Sequence, residues 1–250
     1  MIELPDFERA FEYENAFYLS SHPSRLAKAM AQYDLFRRTL DISGEIVECG
    51  VFKGTSLIRL ATLRELLVSP FAKRIIAFDT FASFPPTGHA QDRPFLERMV
   101  NAAGSESIGR DQLLEVLRRK GLDRNVELVA GDILRTVPEY VSDHPELRIS
   151  LLNLDTDTYE PARVILEHLW DRIVPGGILL LDDFATFPGE TRAVEECFGE
   201  CPRKFLRLPY SLTPTYVVKE QAGTPSPVAL LLAVRARGDR NGRMPEKWNT

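Results

Sequence analysis

Cysteine is scarce in this chain of 250 residues, which has three: Cys49, Cys197 and Cys201. An odd count without a paired C-x-x-C spacing supports neither a disulfide framework nor a thiolate metal site. Cys197 and Cys201 can meet on one helical turn, but buried or incidental thiols is the plainer reading, and a reducing cytoplasm is the compartment expected. Histidine is equally sparse, with His22, His89, His144 and His168 scattered singly. Of these only His89 falls in a long loop where a proton acceptor would be of use, and a surface loop histidine is the simpler reading. No segment approaches the roughly 18 consecutive apolar residues of a membrane helix. The acidic start "MIELPDFERAFEYENAF" lacks the basic residues and apolar core of a secretory signal. Two phosphate-binding patterns are missing as well, G-x-G-x-x-G and G-x-x-x-x-G-K-[ST], which argues against a dehydrogenase and a nucleoside triphosphatase. Positive charge is not in excess: 31 Lys and Arg against 36 Asp and Glu leave a net charge of −5. No nucleic acid or membrane partner is expected from that balance, although a local basic pocket is compatible with it.

Present instead is an alternation of apolar strands and helices. Residues 5–40 read as helices, with Leu26, Met30, Tyr33, Phe36 and Leu40 near helical spacing and Pro23 suited to a first turn. Strands follow at 44–50, 73–79, 125–132, 148–155 and 176–183, with helices after the first, fourth and fifth. A last strand is expected in "TPTYVVKE" or "PVALLLAVRA", and "KFLRLPY" is a further candidate. Continuous apolar strands joined by crossovers predict an α/β fold, a doubly wound, mostly parallel seven-stranded sheet. Residues 80–122 are too long for one crossover and read as a Pro/Gly loop plus helices near 92–103 and 109–120, a candidate lid. The expectation is one domain over 1–250: a helical cap over 1–43, a core over 44–220, and an extension over 221–250 that is polar from about 238.

Each of the five strands stops at or near an acid: Glu48, Asp79, Asp132, Asp155, and the pair Asp182 and Asp183. Ligands of open parallel sheets bind at the carboxyl ends of the strands. Helix capping is the alternative for any single acid, but less easily for the whole set. In "VECGVFKGTS", Gly50 and Gly54 allow close backbone approach, and Thr55 and Ser56 open the next helix. Glu48 beside this turn would repel phosphate and suits an ammonium or sulfonium group. Asp79 is placed for ribose hydroxyls, and Asp132, with Ile133 after it, for an adenine amino group. Together these describe S-adenosylmethionine as the ligand. With strands four and five adjacent, their ends lie roughly 5 Å apart, and Asp155, Asp182 and Asp183 converge. Three carboxylates so close call for a cation, and an all-oxygen set favours Mg²⁺, then Mn²⁺ or Ca²⁺. Asp157 is read as a fourth ligand, a base or a helix cap. A metal there would hold an acceptor hydroxyl for methyl transfer. Phe78, Phe81 and Phe84 are expected to pack the lid or flank adenosine, and Trp170 to be core.

The motifs "IVECGVFKGTSL", "IIAFDTFASFP", "LLNLDTDTYEPA" and "VPGGILLLDDF" resemble the macrocin and novobiocin sugar O-methyltransferase family over about residues 15–220. The resemblance implies the class I methyltransferase fold, S-adenosylmethionine as cofactor and a need for Mg²⁺. It assigns Asp155, Asp182 and Asp183 to the metal, Glu48, Gly50 and Asp79 to the cofactor, and Asp155 to the general base, with Asp157 in reserve. Thr156 stands where the family often has Gly, and Thr158 where catechol-type relatives have a Lys base. The compact N-terminal region resembles members acting on nucleotide-linked deoxysugars, for which Arg25, Lys28 and Arg110 are candidates to meet a diphosphate. A homo-oligomer is implied by family habit. The competing readings are a catechol or other vicinal-diol acceptor, and a protein that binds S-adenosylmethionine without turnover.

Overall fold

The structure is a computed structural model and describes residues 2–199 and 205–220. Helices α1 (Ala10–Ser20) and α2 (Pro23–Arg37) precede strand β1 (Glu45–Cys49), and α3 (Thr55–Leu67) leads to β2 (Ile75–Asp79). Next come α4 (Arg93–Ala103), α5 (Arg110–Arg119), β3 (Val126–Ala130) and α6 (Ile133–Asp143). The chain then forms β4 (Ile149–Leu154), α7 (Tyr159–Leu169), β5 (Ile173–Leu181), α8 (Pro188–Phe198) and β6 (Thr215–Val218). The sheet order is β3-β2-β1-β4-β5-β6, parallel except for β6. The order therefore reverses between β1 and β4, which places the switch point, and hence the binding crevice, between their carboxyl ends.

The period-two alternation of the strands divides the core between two faces. Val47, Cys49, Phe78, Leu152, Leu154, Leu179 and Leu181 face the helices α6, α7 and α8. Ile46, Ile75, Ala77, Leu151, Ile178 and Leu180 face α2, α3 and α5. Glu48 and Asn153 are paired in register and share the parity of Ile46 and Leu151, so they project toward α2 and α3. Parallel bonding continues one residue past each strand: Gly50 N–H donates to the Phe78 carbonyl, Asp155 to Cys49, and Asp182 to Leu154, at 2.9, 2.9 and 3.0 Å. Strand ends are thereby locked as rigidly as the strands.

Six strands are present among the described residues, rather than the seven expected. The last of them comes from "TPTYVVKE"; "PVALLLAVRA", Cys201 and the tail from 238 lie outside the described residues. The "KFLRLPY" segment contributes one isolated bridge, Leu206 to Tyr216, and no strand. The sequence reading assigned no helix between the third and fourth strands, where the structure has α6. Its buried residues Ile133, Val137, Tyr140 and Val141 have helical spacing and Asp132 caps it, but Pro138 inside masks the pattern. The 80–122 insertion holds α4 and α5 as expected, with a Ser83–Glu106 bridge at its base. Helix α1 buries none of its residues; Phe11, Tyr18 and Leu19 are exposed. Among the described residues no helix is long and apolar enough to cross a membrane.

One buried cation supports the edge of the sheet remote from the acids. Arg64 of α3 is fully buried and donates to four backbone carbonyls: Lys73 (3.2 Å), Asn125 (2.9 Å), Leu122 (3.4 Å) and Arg124 (2.6 Å). Arg64→Met keeps the volume but leaves those carbonyls without their donor. Urea unfolding is expected to show a loss of about 3 kcal/mol; an unchanged midpoint would mean that water replaces the guanidinium.

Candidate active site

A cavity of about 610 Å³ opens at the carboxyl ends of the strands. Its walls come from the turn after β1, the first turn of α3, the ends of β2, β4 and β5, one face of α2 and the insertion. A second hollow of about 580 Å³ lies at the opposite rim, among Asp41–Glu45, Arg74 and Arg148. Arg74 there pairs with Glu45 and Glu127, at 4.0 and 3.3 Å, and this hollow lies away from the switch point where ligands of such sheets bind.

The half of the cavity under β1–β3 is organised by the turn. Gly50 has φ 89°, and a Cβ there would lie 1.8 Å from the Asp155 carbonyl oxygen, so only glycine lets the ends of β1 and β4 come this close. Asp79, expected to be free for ribose, is largely engaged. Its Oδ2 accepts from the Val51 and Phe52 amides (2.7 and 3.0 Å) and its Oδ1 from the Phe81 amide (2.6 Å). It still borders the cavity, but a long contact from the Thr80 hydroxyl (3.4 Å) to Oδ1 makes four donors in all, so its roughly four acceptor sites are taken up by the turn itself. Gly54 takes the left-handed conformation ahead of α3, and Thr55 and Ser56 follow in the cavity wall. Asp132 and Ile133 also line it, but Oδ1 of Asp132 accepts the Leu134 amide at 2.9 Å, so this acid does cap a helix.

Glu48 lies behind that wall, fully buried. Asn153 donates to its Oε1 (3.2 Å) and also to Ser56 Oγ (3.2 Å), which in turn accepts from Gln32 (2.8 Å). Oε2 of Glu48 has no hydrogen-bond partner. Burial pushes its pKa up to about 7, against the opposing pull of Ser56, Asn153 and Arg59.

At the β4–β5 half the acids converge, in a different grouping from the one expected. Oxygens of Asp155, Asp157 and Asp183 lie within 4.8 Å of one another. Asp182, expected in this trio, turns to α2, where Lys28 Nζ donates to its Oδ2 at 2.5 Å; the same ammonium is 4.0 Å from Asp155 Oδ2. Asp157 takes the vacated place in a left-handed conformation, φ 61°, which Asp tolerates better than most residues. Burial pushes Asp155 and Asp183 well above the usual carboxylate range, with further upward pushes from Asp182 on Asp155 and from Asp157 on Asp183. Burial and then Asp155 raise Asp157 to about 7. Burial alone would weaken the Lys28 ammonium, but Asp155 and Asp182 outweigh it and keep Lys28 charged.

Four neighbours were not read from the sequence. Glu190, fully buried in α8, accepts the Asp183 amide at 3.1 Å on Oε1 and leaves Oε2 unpartnered. Its position in the first turn after Pro188 was the only signal. Arg59 donates to Gln32 Oε1 (2.7 Å) and lines the cavity with Arg25 and Lys28. Asp92 and Gln32 join contacts that exist only once the chain is folded. Of the diphosphate candidates, Arg110 instead donates to the Leu128 carbonyl (3.2 Å) outside the cavity wall. Phe78 and Phe81 belong to the core, whereas Phe84 lines the cavity with its ring edge on Phe52, and Trp170 is buried as expected.

A divalent cation fits the β4–β5 half, where like charges converge and buried oxygens of Asp182 and Glu190 lack partners. A cationic adenosine ligand fits the other half, where a glycine turn adjoins the unpartnered Glu48 oxygen. The raised pKa of Glu48 gives a direct prediction for ligand-free protein. Glu48 takes up a proton on folding between its ordinary pKa and about 7, so stability is highest below pH 4.5 on this account and is lost as pH rises to about 7. Glu48→Gln removes that loss. Relative to wild type its unfolding free energy should rise by about 3 kcal/mol between pH 4 and pH 8 in urea titrations, and a constant difference would contradict the assignment.

The chain is similar to known O-methyltransferases. The sequence profile described as Macrocin-O-methyltransferase (TylF) matches residues 25–200. A stretch of 149 residues is 32% identical to 8-demethyl-8-(2,3-dimethoxy-alpha-L-rhamnosyl)-tetracenomycin-C 4'-O-methyltransferase of Streptomyces olivaceus, covering 58% of this chain and 54% of that protein. A stretch of 161 residues is 26% identical to Mycinamicin III 3''-O-methyltransferase of Micromonospora griseorubida, covering 62% and 60%. The matches span little more than half the length of these relatives. Among solved structures the calicheamicin methyltransferase CalS11, also described as a TDP-rhamnose 3'-O-methyltransferase, has a TM-score of 0.69 at 28% identity over 85% of both chains. On the profile match, which spans most of the chain, the chain belongs to the macrocin O-methyltransferase (TylF) family.

Proposed function

We propose that this chain transfers a methyl group from S-adenosylmethionine to a hydroxyl of a deoxysugar, nucleotide-linked, with Mg²⁺ as the required cation. The observation that carries the reading is the convergence of Asp155, Asp157 and Asp183 beside the glycine turn, in one cavity with Glu48 buried behind its wall. The names of the relatives support a sugar acceptor, and the description of CalS11 supports a nucleotide-linked one. The description of CalS11 as an enzyme of calicheamicin biosynthesis supports a cytoplasmic biosynthetic enzyme, and the exposed apolar residues of α1 support an assembly of several copies.

In this reading Gly50, Thr55, Ser56, Asp79, Asp132 and Ile133 form the cofactor wall, with Glu48 and Gly54 behind it, and Asp155, Asp157 and Asp183 hold the cation. The cofactor supplies an electrophilic methyl on a positively charged sulfur, and the cation acidifies and orients a sugar hydroxyl. Glu48 contributes negative charge behind the turn, favouring a sulfonium over its neutral product. Asp155, at the meeting of both halves, accepts the hydroxyl proton as general base while the C–O bond forms and the methyl's C–S bond breaks, its electron pair leaving with neutral S-adenosylhomocysteine, with Asp157 as its alternate. Asp182 is a positioning residue: paired with Lys28, it fixes α2 over the acids and keeps one negative charge out of the cation's set. Arg25 and Arg59 in the same wall offer planar donors to an anionic acceptor.

Calorimetry with S-adenosylhomocysteine, then Mg²⁺, then a thymidine-diphosphate deoxysugar tests the reading. The nucleotide sugar is expected to bind only with Mg²⁺ present, and EDTA to abolish turnover. Asp155→Asn should reduce kcat by at least about 100-fold with S-adenosylhomocysteine still bound. Full turnover in EDTA would contradict the metal requirement, and an acceptor that binds equally well without its diphosphate would contradict the nucleotide link.

A further inference from the structure

Asp92 has no role in the reading above, yet it is fully buried and lies where three segments meet. Its Oδ2 accepts the Tyr159 amide at 3.0 Å and its Oδ1 the Gly189 amide at 2.7 Å. Tyr159 is the first residue of α7 and Gly189 the second of α8, and neither helix has a side-chain cap of its own. One carboxylate thus serves the positive ends of two helices, an arrangement favoured by both the free amides and the helix dipoles. The loop entering α7 carries Asp155 and Asp157, and the loop entering α8 carries Asp182 and Asp183. Asp92 also ends the 80–92 part of the insertion. There His89 stacks on Tyr159 (5.2 Å between ring centres) with Nδ1 3.3 Å from Asp92 Oδ2, and Thr87 donates to Glu160 at 3.1 Å.

We infer that Asp92 is a positioning residue that clamps the loops bearing the two halves of the acidic cluster to each other and to the insertion that covers them. Its carboxylate touches neither the cavity nor the acids, so it acts through the two loops. The space is closed around it: a Cβ on Gly189 would lie 2.0 Å from Asp92 Oδ2. Gly189 has no positive φ, so its lack of a side chain is explained by this contact and not by backbone conformation. The inference rests on the proposed cation site for its functional readout, and on the two hydrogen bonds for its physical one.

Asp92→Asn keeps the shape but turns an amide N–H₂ toward one of the two donors, so one bond is lost. Two measurements on the full chain decide the matter. In protein loaded with S-adenosylhomocysteine, Mn²⁺ binding followed by electron paramagnetic resonance should weaken by at least about tenfold, with S-adenosylhomocysteine affinity unchanged and kcat reduced more than KM is raised. In ligand-free protein, amides in 155–159 and 182–189 should exchange faster, both sets together. A folded variant with wild-type Mn²⁺ affinity and wild-type exchange overturns the inference. If wild-type protein itself takes up no Mn²⁺, the cation reading fails separately and the exchange of the two loops alone decides for or against Asp92. Should Asp92→Asn not fold, Gly189→Ala displaces the same carboxylate while favouring the helix; it should reproduce the loss of Mn²⁺ affinity and the faster exchange, and wild-type values would again overturn the inference.

Discussion

The mutual repulsion of carboxylates gathered at the ends of β4 and β5 is the constraint around which the rest of the site is arranged. Asp155, Asp157, Asp182, Asp183 and Glu190 occupy one corner of the molecule, where among the described residues one ammonium, that of Lys28, contacts Asp182 and Asp155. Burial and proximity push Asp155, Asp183 and Glu190 well above the ordinary carboxylate range. A chain gains nothing in stability from such a cluster. It tolerates the cost because parallel bonding extends past the strand ends and holds the backbone of Asp155 and Asp182 in place, while Glu190 accepts the Asp183 amide.

Lys28 divides the cluster. By pairing with Asp182 it removes one negative charge and leaves three oxygens converging elsewhere, from Asp155, Asp157 and Asp183. The cofactor wall is joined to this trio at one point, where the missing side chain of Gly50 lets β1 approach the carbonyl of Asp155. A larger residue there would force apart the wall that suits a cationic ligand and the acids that suit a divalent ion. Proximity of donor and acceptor in the proposed methyl transfer therefore follows from a backbone contact.

Much of this was legible in the sequence because it depends on local pattern. Apolar strands that end in acids gave the sheet and its functional rim, and the spacing of Gly50 and Gly54 gave the turn. What was not legible depends on side-chain direction and on contacts distant in sequence. Nothing in "DTDTYEP" distinguishes Asp157 from Asp182 as the third member of the trio; Lys28, 154 residues from Asp182, decides it. Asp79 and Asp132 read as ligand-binding acids, yet one mainly fastens the glycine turn and the other caps a helix that Pro138 concealed. Asp92 reads as an ordinary helix-start residue before Arg93 and Pro94, and only the packing of α7 against α8 gives it a second use.

The central claim, that three of these acids and not the Lys28-paired one form a cation site, is tested most directly by an anomalous diffraction map. Crystals grown with S-adenosylhomocysteine and Mn²⁺ should show one strong peak among Asp155, Asp157 and Asp183, with Lys28 still on Asp182. A cofactor-bound crystal without any peak at this corner, or with Mn²⁺ between Asp155 and Asp182 and Lys28 expelled, would contradict it.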